Sequence, residues 1–542
     1  MKRLRSTAAA IIAIATFASC ARTNTTLTQG RHPWTQPGHL RLGYSDEPDS
    51  LNKLFANDSA ADEVANLLFA PMFRFDDRGE LLPELATTVP TQANGGITPD
   101  GRTITLHVRH GVRWSDGAPL DARDLRFTWR AVMNPRNNVR SRAGWEDITA
   151  IDLPNRYTLV VHVRRPNASL IAGIFGSGGG SAYPPLPAHL LERLPDFNRA
   201  AFNAKPISSG PWLLREWNRG TSLEFTPNAR YWRGTPKLRA LTWKVIPNTD
   251  TLFAELQTHD IDVYPAVGDN QIARLPTLAG VRVMHHLIAY YRHVEINTSR
   301  PYLHDVRVRR ALAEAVDWDA MNRTVYHGYN LRATSDIMPT SWAAPSVPFY
   351  PYSPSDAERL LAAAGWQPGS GGIRHRAGEA LRLVVSTGTN KPQNEQAELL
   401  MQQQLRAVGI DLAIKNYPVS FLFAQNGPLY GGHYDLSLSI ETGGPEPDNS
   451  VLWSSASIPP HGANTAWLSD PVVDATSDAA LRTYDRAKRK ALYQREELRL
   501  HELVPAIILY WQNEYIAANS DLRGYKPAPY VANSWNSWEW TL

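Results

Sequence analysis

Cysteine is almost missing: Cys20 is the single one in 542 residues. That excludes structural disulfides and any multi-thiolate metal or iron–sulfur site. A charge excess is missing as well. The 56 Lys plus Arg and 52 Asp plus Glu leave +4, and Lys2, Arg3 and Arg5 supply three of it, so the remainder is near +1. Nucleic-acid binders usually show a pronounced basic excess, so none is expected as a partner here. No stretch reaches 18 uninterrupted apolar residues, which leaves no candidate helix for spanning a bilayer. Gly-x-Ser-x-Gly, His-Glu-x-x-His and Cys-His arrangements are absent, and nothing in the chain demands catalysis. No repeat with a period of 20–50 residues is visible, against solenoids and propellers. What is plentiful is flat side chains, 17 Trp and 21 Tyr, which line ligand clefts or fill large cores. With 43% apolar and 20% charged residues the composition is that of a folded soluble protein, and its length suits two to four domains.

The N-terminus has three parts: the positive end, an apolar stretch from Ala8 to Ala18, and Phe17-Ala18-Ser19-Cys20. The stretch is too short for the roughly 20 residues a bilayer requires but suits a signal-peptide core. The sole cysteine, standing where small residues end the apolar run, resembles a bacterial lipobox, with Phe17 where Leu is usual. The resemblance implies a signal peptide over 1–20 and a diacylated Cys20. Residues 21–35, rich in Thr, Gln and Gly without periodicity, read as a flexible tether.

From Leu40 the pattern is α/β. Ile104, Leu106 and Val108 alternate with polar residues as a half-buried strand. A helix starts at Asp121 and carries Leu125, Phe127 and Trp129; Tyr157 to Val163 and Leu241 to Val245 are further strands. Asp305 is an N-cap whose helix sets Val308, Leu312, Ala315 and Val316 on one stripe. Ser355-x-x-Glu358 reads as a capping box opening a helix over 356–364, with Gly365 beyond its end; Glu395 to Val408 is a third helix, stopped by Gly409. Interleaved strands and helices indicate sheets covered by helices.

Three features could carry other chemistry. Gly176-Ser177-Gly178-Gly179-Gly180 has the composition of a phosphate-cradling loop, but it lacks the Gly-Lys-Ser/Thr ending and Pro184-Pro185 blocks a following helix. His285 and His286, being adjacent on a strand, point to opposite faces and cannot join His293 around one ion. The acids Asp46, Glu47, Asp49, Glu441, Glu446 and Asp448 could supply a glycosidase pair, which makes a secreted carbohydrate hydrolase the enzymatic alternative. An exported, aromatic-rich α/β chain without a catalytic signature points instead to a binding protein. No metal or other cofactor is implied.

Four ordered blocks carry a family resemblance. Glu47-Pro48-Asp49-Ser50-Leu51-Asn52 comes first. Leu82-Pro83-Glu84-Leu85-Ala86 follows, with Asp100-Gly101-Arg102-Thr103-Ile104-Thr105-Leu106 and Arg109-His110-Gly111-Val112-Arg113-Trp114-Ser115-Asp116-Gly117. The third is Ser208-Ser209-Gly210-Pro211-Trp212 with Asn228-Ala229-Arg230-Tyr231-Trp232, and the fourth runs from Asp305 to Asp317. Together they resemble the extracellular solute-binding proteins of family 5, the oligopeptide-, dipeptide- and nickel-binding lipoproteins of ABC importers, over essentially the whole chain from Leu40. The resemblance implies a two-lobe, class II periplasmic-binding-protein fold with an extra subdomain inserted in lobe one. Lobe one then holds residues 36–61, 205–292 and 506–542, the insertion 62–204, and lobe two 293–505. Tyr290 to Asn297 and Pro505 to Trp511 become two short crossovers, a pairing that permits rotation and resists shear.

The resemblance further implies a monomeric, extracytoplasmic receptor, held to the membrane by its lipid anchor alone, that hands a peptide or peptide-like solute to an ABC permease. Oligosaccharides, opines or a metal chelate are alternative ligands. Peptide-binding relatives place an Asp after a Tyr-Asp strand to pair with the ligand's α-ammonium. Here Tyr434-Asp435 leads to Glu441-Thr442-Gly443-Gly444-Pro445-Glu446-Pro447-Asp448, and the anchor position falls at Gly444, with Glu441, Glu446 or Asp448 as substitutes. Unless one of these acids replaces it, the pocket does not demand a free amine. Expected cleft contacts are Asn57, Asp58 and Ser59, Trp212 after the Gly-Pro turn, and Glu441, Thr442, Gly444 and Trp453 in lobe two.

Overall fold

A computed structural model describes residues 30–178 and 180–542. Cys20, the lipobox-like run and the first part of the tether lie outside the described residues, as does Gly179. The end of the expected tether is corrected: the chain is docked from His32 onward. The His32 N–H and the Thr35 hydroxyl both donate to the Asp521 carboxylate at 2.7 Å. Trp34 stacks between His32 and His259, at 4.7 and 3.7 Å, and this burial of flat surface fixes a segment whose composition suggested freedom.

The chain begins lobe one with β1 (His39–Tyr44) and α1 (Ser59–Leu68). It then builds β2 (Phe73–Phe75), β3 (Leu81–Pro83), β4 (Thr103–His107), α2 (Ala122–Met133), β5 (Ile148–Asn155) and β6 (Thr158–Val163). It returns as β7 (Trp212–Asn218), β8 (Ser222–Pro227), β9 (Ala240–Val245), α3 (Thr249–Gln257) and β10 (Val263–Tyr264). The long strand β11 (Val281–Ile296) enters lobe two. There follow α4 (Val306–Ala315), α5 (Pro354–Ala363), β12 (Arg382–Ser386), α6 (Pro392–Ala407), β13 (Asp411–Ile414), β14 (Leu436–Thr442), α7 (Pro471–Arg482) and α8 (Arg486–Leu503). A second long strand, β15 (Ala506–Asn519), leads back.

One sheet runs through both lobes in the order β13-β12-β14-β11-β15-β10-β1-β9-β8-β7. Its two middle strands are antiparallel and paired from Val281↔Asn519 to Glu295↔Ala506. The crossovers are therefore not short, as expected, but strands of 16 and 14 residues that belong to both lobes. Their register shifts between Leu287 and Tyr291, where the chain passes from one lobe to the other. The core of lobe two is drawn from Val294 to Tyr510, on both sides of its sheet strands. The β4-β6-β5 sheet of the inserted segment shares a core with lobe one, which includes Trp114, Trp145, Trp212 and Trp243.

Local signals explain most elements. The Asp305 side chain accepts the Arg307 N–H, and Val308, Leu312 and Ala315 are buried as their spacing predicts. In α5 the cap is corrected from Ser355 to Ser353, because Pro354 is preset for the first helical position and fixes the start one residue after Ser353. Pro392 likewise starts α6 earlier than Glu395. The third family-like block also has a steric reason. A Cβ on Gly210 would lie 2.7 Å from the backbone of Leu68 and Phe69, where the end of α1 meets the entry to β7. The blocks around Glu84 and Tyr231 meet at a single fully buried carboxylate. Glu84 receives Tyr231 Oη at 2.7 Å, Trp232 Nε1 at 3.0 Å and Arg233 Nε at 2.9 Å, with Arg74 Nε at 3.6 Å.

Candidate functional site: the cleft between the lobes

Strands β12, β13 and β14 are mutually parallel, and β14 reaches Thr442 opposite Tyr290, beside the point where β11 changes lobe. In lobe one β1, β9 and β10 are parallel and run toward the same point. The carboxyl ends of both sets thus face one gap, the place where open α/β sheets bind ligands. Ala289 ties the gap together: its N–H donates to Pro529 of lobe one and its carbonyl accepts from Gly443 of lobe two.

Strand alternation divides the gap's lobe-two wall. Tyr291 pairs with Glu441 on one face of the sheet and Arg292 with Ile440 on the other. On the first face a small cavity of about 100 Å³ is lined by Tyr291, Asp336, Glu441, Thr442, Gly444 and Glu446. It adjoins, through Glu446, a cavity of about 490 Å³ between the inserted segment and α8. On the opposite face lies a groove of about 880 Å³, to which lobe one contributes Asp269 and Asn270.

The acids of the small cavity differ in their partners. Glu446 is engaged, since Arg489 Nη2 donates to it at 2.7 Å and the Ser169 hydroxyl at 3.3 Å. Asp448 accepts from the N–H and hydroxyl of Ser450, at 3.1 and 2.6 Å. Glu441 has only the Thr442 N–H at 2.8 Å, and no Lys or Arg among the described residues pairs with it. Burial pushes its carboxyl pKa up, against the Thr442 N–H, and the neighbouring Asp336 adds to the rise. Asp336 is itself buried and accepts from Trp453 Nε1 at 2.6 Å and from Asn449 at 3.2 Å. Beside it, burial and the Asp336 charge raise Glu497 well above the usual carboxylate range. This wall is therefore acidic and short of cations.

Of the residues expected at the site, Glu441, Thr442 and Gly444 share this cavity. Trp453 is 4% exposed and acts from behind, orienting Asp336 through its indole. A Cβ at Gly444 would sit 3.2 Å from the Glu446 carbonyl, so the position offers backbone only. Trp212 is corrected from cleft wall to core: it is fully buried and its indole donates to Ser537 Oγ at 3.1 Å. Asn57, Asp58 and Ser59 line none of the three cavities. Asp58 caps α1 by accepting the Ala61 N–H at 2.7 Å, and Asn57 N–H donates to Asp49 at 3.1 Å. Tyr291, Arg292, Asp336, Lys391 and Arg489 were not foreseen. As for the histidines, His285 stacks on Tyr515, His286 faces Glu514 at 3.8 Å, and His293 is buried near Ser439.

The lobes touch on both faces of the crossing strands. Arg486 forms two 3.2 Å bonds to Glu80, Tyr484 Oη donates to the Gly101 carbonyl at 3.0 Å, and the Ala168 N–H donates to Leu481 at 2.7 Å. On the other face Gln393 Nε2 donates to Asp269 at 2.9 Å. The gap is enclosed rather than gaping.

Comparison with known proteins gives a consistent picture. The family model for bacterial extracellular solute-binding proteins, family 5, middle region, matches residues 80–459. The oligopeptide-binding protein AppA of Bacillus subtilis (strain 168) is 26% identical over 503 residues, spanning 91% of this chain and 90% of that protein. The crystal structure of Bacillus subtilis AppA with a nonapeptide superposes with a TM-score of 0.74 at 25% identity, covering 94% of this chain and all of that one. NikZ of Campylobacter jejuni, in complex with Ni(L-His), gives a TM-score of 0.76 at 25% identity with the same coverage.

Proposed function

The chain belongs to the bacterial extracellular solute-binding proteins of family 5, and on that premise we propose that it captures a peptide or peptide-like solute between its lobes for an ABC permease. The observation that carries this reading is Glu441, a carboxylate without a cationic partner among the described residues, set three residues before Gly444 in a cavity walled by the lobe junction. A ligand ammonium supplies the missing partner. Main-chain groups at the strand ends, among them Thr442 and Gly444, suit an extended peptide backbone added beside the sheet. Oligosaccharide capture is less favoured. Trp453 is buried and presents no open face for a sugar, and the Trp342 ring already has Arg486 and Arg489 against it at 5.0 and 5.1 Å. Binding, with closure of the lobes on the ligand and no chemical step, is the activity we assign.

Mass spectrometry of small molecules released on denaturing the purified protein tests this directly. Peptides are expected, and calorimetry with synthetic copies of them should return tight one-to-one binding. Recovery of a sugar or metal chelate that rebinds, with no response to peptides, overturns the reading.

The working location proposed is extracytoplasmic, as a monomer anchored through Cys20. Intact-mass analysis of the membrane-extracted protein should find a diacylglycerol on Cys20, and Cys20→Ser should leave the protein soluble or uncleaved. An unmodified Cys20 in the membrane fraction sinks the anchor.

A further inference from the structure

The cavity of about 490 Å³ between the inserted segment and α8 differs in kind from its acidic neighbour. Its walls set Phe75, Ile97, Ile171 and Ala172 of the inserted segment against Trp342 and Pro445 of lobe two. The first four are buried apolar side chains. The charged groups along the cavity are spent on one another. Glu80 takes both Arg486 bonds at 3.2 Å, and Glu446 takes Arg489 Nη2 at 2.7 Å and the Ser169 hydroxyl at 3.3 Å. Asp485, the remaining acid, is exposed and caps α8 by accepting the Lys488 N–H at 2.9 Å.

The uncharged polar groups are held as well. Tyr484 Oη donates to the Gly101 carbonyl at 3.0 Å and accepts the Asn167 N–H at 3.3 Å, and Gln92 Nε2 donates to the Pro99 carbonyl at 3.0 Å. No residue lining this cavity has a buried side-chain polar atom without a partner. A charged guest here has to break an ion pair that joins the inserted segment to lobe two, or stay desolvated and unpaired, and both are costly. An apolar guest meets neither cost and gains by leaving water. The volume falls among the roughly 300–1,000 Å³ of sites that take small molecules, far more than an alanine methyl fills. Position completes the argument. This cavity meets that of Glu441 at Glu446, and Pro445, which lines it, directly follows Gly444. One short ligand therefore spans both.

We infer that this cavity makes the protein selective for a bulky apolar side chain on the first or second residue of its ligand. The selectivity deepens the peptide reading above and rests on it: the ammonium meets Glu441, and the side chain beside it enters the adjoining cavity.

Calorimetry with tri-alanine, Phe-Ala-Ala and Ala-Phe-Ala, and with Lys or Asp in place of Phe, tests the selectivity. One of the two Phe peptides is expected to bind the wild type at least tenfold more tightly than tri-alanine, with its Lys and Asp counterparts no tighter than tri-alanine. Ala172→Leu and Ala168→Leu put bulk into the cavity from two points of its wall, and each should cut the Phe preference below threefold. Equal binding of tri-alanine and both Phe peptides to the wild type overturns the inference. So does a Lys or Asp peptide that matches the Phe one, or a Phe preference intact in both variants. If Ala172→Leu does not fold by circular dichroism, Ala168→Leu, at a half-buried position, decides. If none of these peptides binds, the peptide reading fails by itself, and the apolar dye N-phenyl-1-naphthylamine then tests the cavity. Dye fluorescence enhanced by the wild type and reduced at least threefold by the Leu variants supports an apolar site; enhancement that is absent, or equal in all three proteins, overturns it.

Discussion

Replacing Glu84 by Gln is expected to destabilise lobe one by about 3–5 kcal/mol, the range for breaking a buried charge group by removing one partner. Glu84 is fully buried, and the change leaves Arg74, 1% exposed, and Arg233 facing a neutral amide. Burial alone raises the pKa of this carboxyl, but Arg74 and Arg233 outweigh it, and the net shift is downward. The sign of the pH dependence follows. A depressed folded-state pKa contributes stability that is full above the unfolded value of 4.5 and is lost as pH falls through the folded value. Denaturant unfolding followed by tryptophan fluorescence should therefore show a large gap between wild type and variant at neutral pH, narrowing in acid. A gap under about 1 kcal/mol at neutral pH, the level of an exposed pair, refutes the role.

The largest expected effect on binding is at Glu441. Glu441→Gln should weaken a free tripeptide by about a hundredfold, about 2.7 kcal/mol, and leave its N-acetylated form nearly unchanged. Gly444, where the family resemblance puts the anchor, has no side chain, and Glu446 is already committed to Arg489 and Ser169, which on the proposed reading leaves Glu441 to meet an ammonium. Burial and Asp336 raise the pKa of Glu441 in the unliganded protein, and a bound cation favours its ionised form. Affinity for the free amine should thus fall as pH is lowered toward that raised pKa, while affinity for the acetylated peptide stays level. Calorimetry on the two peptides across pH separates these outcomes; a free-amine preference that persists in Glu441→Gln would falsify the assignment.

How much of this was legible in the sequence depended on the distance between cause and effect along the chain. The helix after Asp305 was readable because cap and apolar stripe lie within three turns. The cap of α5 was misread by two residues because both Ser353 and Ser355 can cap, and the intervening proline decides between them. The docking of His32 and Trp34 depends on His259 and Asp521, more than two hundred residues away, and no local pattern announces it. The length of the crossing strands had the same obstacle: Val281 to Leu287 gains its partner only at Asn513 to Asn519. At the site, the Tyr-Asp strand located the acidic loop, and its motif brought Glu441, Thr442 and Gly444 to one cavity. Trp212 misled because a tryptophan after a turn reads equally as wall or as core, and only the burial of Ser537 beside it tells which.

The placing of β15 also orders the assembly of the molecule. It lies between β10 and β11 in the sheet but comes last of all the strands in the chain. Lobe two draws its core from one contiguous stretch, Val294 to Tyr510, and can collapse largely on its own. Lobe one cannot: until β15 arrives, β10 lacks a neighbour on one edge and the lobe-one half of β11 has none. Pairings of such sequence separation are slow to form. A chain emerging amino end first therefore keeps its first lobe unfinished, with open strand edges, until nearly all of it is out, and the last strand to arrive closes that lobe and supplies one of the two strands that join it to the other.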